Sequence, residues 1–173
     1  VQTVSLVKPE SVWKEAYLSF YEEWKQSQEL MVPWVISTEP YDFEGMLTFL
    51  SNQENGIGLS EGWVKTSTYW LVTAIEQVVG VVNIRHELNE KLLNTGGHIG
   101  YGIRPSARGN SYAVTMLALA LEKAKELGIS RALVVCDSDN IASKKTILGN
   151  GGTPDQDYVD EDGNRMNRFW IEL

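Results

Sequence analysis

The stretch Arg108-Gly109-Asn110-Ser111-Tyr112-Ala113 follows a short run of strand character, Gly100-Tyr101-Gly102-Ile103-Arg104-Pro105, and opens a long segment rich in Ala and Leu. Small residues at such a turn leave the backbone N–H groups of the first helical turn facing outward, where the helix dipole also favours negative charge. Such a turn is a site for phosphate, and Arg108 can add a charge-assisted contact. The same residues also suit an ordinary strand-to-helix connection. A second polar turn, Asp137-Ser138-Asp139-Asn140-Ile141-Ala142-Ser143, precedes another helical segment. Its aspartates read as helix-capping groups rather than metal ligands. His98 heads the strand before the first turn, and His86 with Glu87 ends the preceding strand; these are the groups placed to move a proton near neutral pH, although a lone His is also a common structural hydrogen bonder. Cys136 ends an apolar strand with no His partner fixed in sequence and reads as an inert core thiol. The acidic run 155–164 has the composition of a calcium loop, but Tyr158 and Phe169 stand where the first and twelfth ligands would be, which excludes that reading.

These groups need a scaffold, and the pattern of the chain supplies one. Residues 3–8 alternate as a short strand. Ser11 is placed to cap a helix running to about residue 30, with Trp13, Ala16, Tyr17, Phe20, Tyr21 and Trp24 at helical spacing. Pro33 and Pro40 interrupt the next stretch, and a shorter helix is predicted over 43–53. The segment 63–76 has strand propensity and turns at Glu76-Gln77 into 78–85. The Asn94–Gly97 turn leads to a strand over 98–103. Connections this short make the run antiparallel. A helix over 111–127, ended by Gly128, then crosses to an apolar strand at 131–136, read as a buried parallel neighbour. A helix over 140–150 and a hairpin pairing 155–159 with 166–171 complete a mixed α/β fold: one central, mostly antiparallel sheet of six to seven strands with about four helices.

With 173 residues, 43% of them apolar, the chain is expected to be a single domain spanning 1–173. The net charge of −8, from 15 Lys and Arg against 23 Asp and Glu, disfavours nucleic acid as a partner and mildly favours a cationic one. A single Cys rules out an intramolecular disulfide framework and fits a reducing cytoplasm. No apolar run is long enough to span a membrane, and the first residues lack the pattern of a signal peptide. The aromatic residues Trp13, Tyr17, Tyr21, Trp24, Trp34 and Tyr41 read first as helix packing over the sheet. With Glu22, Glu23, Glu39, Asp42 and Glu44 they could also form an aromatic and acidic pocket for an amine.

The two polar turns, taken with their order in the chain, resemble the acyl-CoA site of the GNAT superfamily of N-acetyltransferases, and the chain is similar to a subgroup of bacterial predicted acetyltransferases through Ile84–Asn89, Gly96–Pro105 and Asp139–Ser143. The family pattern Arg/Gln-x-x-Gly-x-Gly/Ala reads here Arg108-x-x-Ser111-x-Ala113, with Ser in place of the central Gly. Ile103-Arg104-Pro105 matches the strand end before that turn, and Asn140 with Ser143 matches the family's Asn that contacts the pantetheine arm. The match is strong over 78–173 and loose over the first 60 residues. It implies a cofactor-binding core at 63–173 and acceptor-side helices and loop at 1–62. It also implies acetyl-CoA as co-substrate without metal, held by Tyr101, Gly102, Ile103, Arg108, Gly109, Asn110, Ser111, Tyr112, Ala113, Asn140 and Ser143, with Lys144-Lys145 either touching the 3′-phosphate or decorating an exposed helix face.

Acetyl transfer needs the thioester carbonyl polarised, and backbone N–H groups at Tyr101-Gly102-Ile103 are placed for it. Gly100 and Gly102 either admit a ligand close to the backbone or mark a bulge or tight packing. His98 is the candidate general base. The family's usual acid, a Tyr seven positions after the Asn, is Ile147 here; Tyr101, Tyr112 and Tyr158 are the possible substitutes. The implied reaction moves an acetyl group to the primary amine of a small molecule, peptide or protein by direct attack in a ternary complex. The alternative is a GNAT-like CoA sensor without turnover. A homodimer is possible, and a dinucleotide-dependent oxidoreductase is disfavoured because no G-x-G-x-x-G with a downstream acid is present.

Overall fold

The computed structural model describes residues 3–173. The first sheet takes the order β1 (Val4–Val7), β2 (Thr66–Thr73), β3 (Val78–Arg85), β4 (Ile99–Ile103), every pair antiparallel. All residues of β2 and all but the last of β3 are buried, because helices cover both faces. On one face lie α1 (Lys14–Ser27) and α2 (Phe43–Asn55), packing Tyr17, Phe20, Trp24, Phe43 and Met46 against Trp70, Val72 and Val81. Tyr17 stacks on Trp70 with ring centroids 4.1 Å apart. On the other face α3 (Tyr112–Glu126) packs Met116, Leu117 and Ala120 against Leu71, Val82, Ile84 and Ile103.

A second sheet follows in which β5 (Arg131–Asp137) and β6 (Thr153–Pro154) both flank β8 (Arg165–Glu172), and β7 (Tyr158–Val159) closes the hairpin onto β8. The helix α4 (Ile141–Gly149) joins β5 to this hairpin. The eight strands thus divide between two sheets where one continuous sheet was expected, and β5 takes its ladder antiparallel from β8 instead of parallel from β4. The cause is local. His98 donates its N–H to the Leu133 carbonyl at 2.7 Å, and beyond that bond no backbone hydrogen bond joins β4 to β5 among the described residues. Gly97 makes the junction: it sits at φ 64°, ψ −169°, a conformation nearly restricted to glycine, and a Cβ on it would lie 2.5 Å from the Leu133 oxygen.

Other boundaries differ in detail. Ser11 lies inside a short 3₁₀ turn (Ser11–Trp13) ahead of α1 and caps nothing. α2 is capped by Asp42, which accepts from the Gly45 N–H, and α4 by Asn140, which accepts from the Ser143 N–H at 3.1 Å. The Glu76 turn, with φ 60°, reverses β2 into β3 as expected.

Candidate active site

The opening between β4 and β5 begins directly after the Gly97–His98 junction. At the two ends of β4, Arg85 N–H donates to the His98 carbonyl and Arg104 N–H donates to the Val79 carbonyl. In an antiparallel ladder this alternation commits the even-numbered residues of β4 to β3 and turns the N–H groups of Ile99, Tyr101 and Ile103 away from β3, toward β5. Of the Tyr101-Gly102-Ile103 N–H groups expected at the thioester oxygen, those of Tyr101 and Ile103 face away from β3, whereas that of Gly102 is committed to the β3 ladder.

The Tyr101 side chain packs on the α3-side core and reaches α4, where its hydroxyl lies 2.6 Å from Ser143 Oγ. The Cys136 thiol, on β5, faces the same Ser143 hydroxyl. Burial pushes the Tyr101 phenol up to about 12, Ser143 opposing and Cys136 adding to the shift. Burial likewise pushes the Cys136 thiol up, so it is not a poised nucleophile. The opening is therefore lined by β4 N–H groups, a protonated tyrosine and a serine.

His98 does not fill the role expected of it. It is 7% exposed, and its Nδ1 accepts the Leu133 N–H at 2.9 Å. The neutral ring then carries its proton on Nε2 and has no lone pair left to take another. Burial, with the positive charge of Arg85 added, depresses its pKa to about 4. The ring is a strut: it pairs with Leu133 where the two sheets meet. His86, the runner-up, is bonded through Nε2 to Ser67 Oγ at 2.7 Å.

The turn ahead of α3 combines an extended arginine with two left-handed residues. Arg108 is extended, Gly109 has φ 80°, and Ser111 stands at φ 62°, the left-handed region. The family's central Gly thus has a conformational reason, and this chain meets it with a strained serine. Ser111 makes no side-chain cap, so α3 begins without one. Asn110 braces the turn by donating to the carbonyls of Ala107 and Arg108. Arg108 itself is occupied: Nη2 pairs with Glu29 at 2.7 Å, Nε donates to the Ile103 carbonyl, and the guanidinium lies over Trp24. Asn140 spends its carbonyl oxygen on the α4 cap, and Ile147 is buried in the core. Of the tyrosines considered as acids, Tyr101 bonds Ser143, Tyr112 opens α3 and Tyr158 pairs with Met166 on the outer hairpin.

Around α1 and α2 the acidic residues are dispersed. Glu23 holds Arg104 and Ser106; burial opposes its ionisation, but the Ser106 N–H and hydroxyl and the Arg104 guanidinium outweigh it and keep the carboxyl below its usual range. Glu22 accepts from Tyr41, and Asp42 caps α2. Tyr17, Tyr21 and Trp24 are core residues, so packing over the sheet accounts for them. Gly102 proves to be a packing glycine: a Cβ there would overlap the Val32 carbonyl and meet Trp24, because the α1–α2 connection lies across β4. The sequence reading passed over Arg85 and Asn83 on this face. Their signal is the polar set Thr66, Thr68, Asn83 and Arg85 at alternate positions of two paired strands otherwise buried among apolar side chains.

Residues 12–153 match the family model of the acetyltransferase (GNAT) domain. The chain belongs to the GNAT acetyltransferase family. No curated protein matches the sequence. Among solved structures it resembles the microcin C7 self-immunity acetyltransferase MccE in complex with acetyl-CoA and AMP, at 17% identity over 98% of this chain and 92% of that one, TM-score 0.66. It also resembles the Salmonella typhimurium acetyltransferase that modifies the N-terminal serine of ribosomal protein L7/L12, at 16% identity over 100% and 96%, TM-score 0.67. A third is a chimera of the Vibrio cholerae spermidine N-acetyltransferase SpeG and hSSAT, at 12% identity over 98% and 95%, TM-score 0.63. At these identities the likeness is one of fold. Among the described residues no helix is long and apolar enough to cross a membrane, and no cluster of three or more His, Cys, Asp or Glu is arranged to hold a metal.

Proposed function

We propose that this GNAT protein transfers the acetyl group of acetyl-CoA to a primary amine by direct attack in a ternary complex. The observation that carries this is the opening between β4 and β5, with the N–H groups of Tyr101 and Ile103 directed toward it. The thioester carbonyl accepts from those N–H groups, which stabilise the negative charge that grows on its oxygen as nitrogen attacks. The pyrophosphate rests on the turn formed by Arg108, Gly109, Asn110, Ser111, Tyr112 and Ala113 at the start of α3, and the pantetheine arm runs past Tyr101, Asn140 and Ser143. Tyr101 supplies the proton to the departing thiolate, because its raised pKa keeps it protonated across the working range and Ser143 fixes its hydroxyl. The amine enters from the α1–α2 side as the free base or gives its proton to water.

Isothermal titration with acetyl-CoA and with CoA, followed by thiol release across an amine panel, tests the reading. Micromolar binding and amine-dependent thiol release are expected. Binding without turnover on any amine would leave a CoA sensor, a reading consistent with the buried Ile147 at the family's tyrosine position. No binding by folded protein would refute both.

A further inference from the structure

The face of β2, β3 and β4 that looks toward α1 and α2 changes character along its length. Near α1 it is apolar, with Trp70 and Val81. Toward the Gly97 junction it becomes polar. Thr66 pairs with Arg85 across β2 and β3, and Thr68 pairs with Asn83, which in turn faces Gly100 on β4. Asn83 is fully buried and donates to Thr68 Oγ1 at 3.1 Å, while its carbonyl oxygen has no partner; the Thr66 hydroxyl is buried without one as well. A buried acceptor left unpaired costs about 1–3 kcal/mol, so its retention calls for a reason.

Arg85 is the second unusual group. Its guanidinium lies over Gly100, where a Cβ would stand 3.1–3.2 Å from its two terminal nitrogens, and Pro33 borders the same space. One of those nitrogens donates to the Gly96 carbonyl at 3.1 Å. Among the described residues no carboxylate pairs with it: Glu22, Glu23 and Glu29 on the α1 side serve Tyr41, Arg104 with Ser106, and Arg108 in turn, and Glu54 on α2 serves Lys8. His98 feels the charge of Arg85 and is itself neutral near pH 7. Burial alone pushes the guanidinium down to about 10. A half-buried cation with no counter-ion is uncommon unless something supplies the anion. It sits one residue from the Tyr101 N–H assigned to the thioester.

We propose that Arg85, with Asn83 and Thr66 beside it, docks an anionic group of the acceptor, so that the substrate is a primary amine bearing a carboxylate or phosphate a few bonds from its nitrogen. The planar guanidinium matches either oxyanion, and the Asn83 carbonyl offers an acceptor to the ammonium or amine of the same molecule. This selects against polyamines, in spite of the net negative charge of the chain. The inference rests on the acetyl-transfer reading above.

The test compares four acceptors of one chain length under saturating acetyl-CoA: an amino carboxylate, its carboxamide, an aminoalkyl phosphate and a diamine. The anionic amines are expected to exceed the carboxamide and the diamine in kcat/KM by about ten- to a hundredfold, the range of a charge-assisted hydrogen bond. The larger value among the two anions tells carboxylate from phosphate. Arg85→Gln should bring the anionic amines down to the level of the carboxamide, and Arg85→Lys should restore part of the preference. A diamine preference in the wild type, or an anion preference that survives Arg85→Gln, overturns the proposal. If none of the four turns over, calorimetric titration of the amino carboxylate and aminoalkyl phosphate decides: binding lost in Arg85→Gln supports the site, and equal or absent binding in both proteins rejects it. Acetyl-CoA affinity, measured separately on each variant, reports on the transferase reading and folding without depending on Arg85.

Discussion

His98→Asn separates a strut from a base. In the folded chain His98 Nδ1 accepts the Leu133 N–H at 2.9 Å, so the native state needs the neutral ring. Burial and Arg85 lower its pKa from 6.5 to about 4. A depressed pKa means that the unfolded chain binds a proton the native state rejects. The stabilisation is therefore complete above about pH 6.5, declines as pH falls through the interval to 4, and is gone below it. That interval corresponds to about 3 kcal/mol. Asn presents an amide oxygen near the Nδ1 position and does not titrate, so it keeps the acceptor and removes the pH dependence. His98→Ala instead leaves the Leu133 N–H unpaired at every pH, a loss of about 1–3 kcal/mol before any cavity is counted. Urea unfolding followed by tryptophan fluorescence between pH 7.5 and 4 gives the stabilities. Subtracting the curve of His98→Asn from that of the wild type cancels the carboxylates, whose own ion pairs also weaken in acid. The difference should shift by about 3 kcal/mol in favour of the variant as pH falls. A difference that stays flat across this range refutes the strut, and so does a folded His98→Asn protein whose only defect is an altered pH–rate profile.

Four further outcomes are expected. Ser111→Gly should stabilise the fold by about 1 kcal/mol, since it relieves the left-handed backbone at φ 62°, whereas Ser111→Phe should abolish CoA binding; calorimetry and thermal melts read both. Arg104→Met should destabilise the protein by about 3–5 kcal/mol in denaturant titrations, because this 3% exposed guanidinium joins Glu23, the Ser19 carbonyl and the Val78 carbonyl, and its loss leaves them unpaired. Tyr101→Phe should lower kcat by about a hundredfold with acetyl-CoA affinity changed only a few-fold, and an unchanged kcat would remove Tyr101 as the proton donor.

The parts of the fold that repeat along the chain were readable from it. The period of Tyr17, Phe20, Tyr21 and Trp24 is that of a helix face, and all four are buried on one. Alternation, Gly128 and the Asp160–Asn164 turn placed the strands, α3 and the last hairpin within a few residues. Caps were harder to read: the aspartates of the Asp137–Ser143 turn were expected to cap α4, but Asn140, directly before the helix, does so, and Ser11 is drawn into a 3₁₀ turn instead of capping α1. The turn ahead of α3, proposed above to hold phosphate, stood out as a run of small residues, and Ser111 takes a left-handed φ of 62° where the family pattern has Gly.

What sequence could not carry was the pairing of groups far apart in the chain. Nothing in the residues around His98 says that a backbone N–H 35 residues later will take its lone pair, yet that single bond decides whether the ring can accept a proton. The same limit hid the engagement of Arg108 by Glu29 and the lack of any carboxylate at Arg85. These cases follow one rule: residue type reports what chemistry a group can do, while the partner it is given in the fold decides whether that chemistry is still available. Arg108 and Arg85 are the same side chain near opposite ends of β4. The first meets a carboxylate from the α1–α2 connection. Among the described residues the second meets only the Gly96 carbonyl, and so keeps the capacity to bind an anion that its sequence context would have assigned to the first.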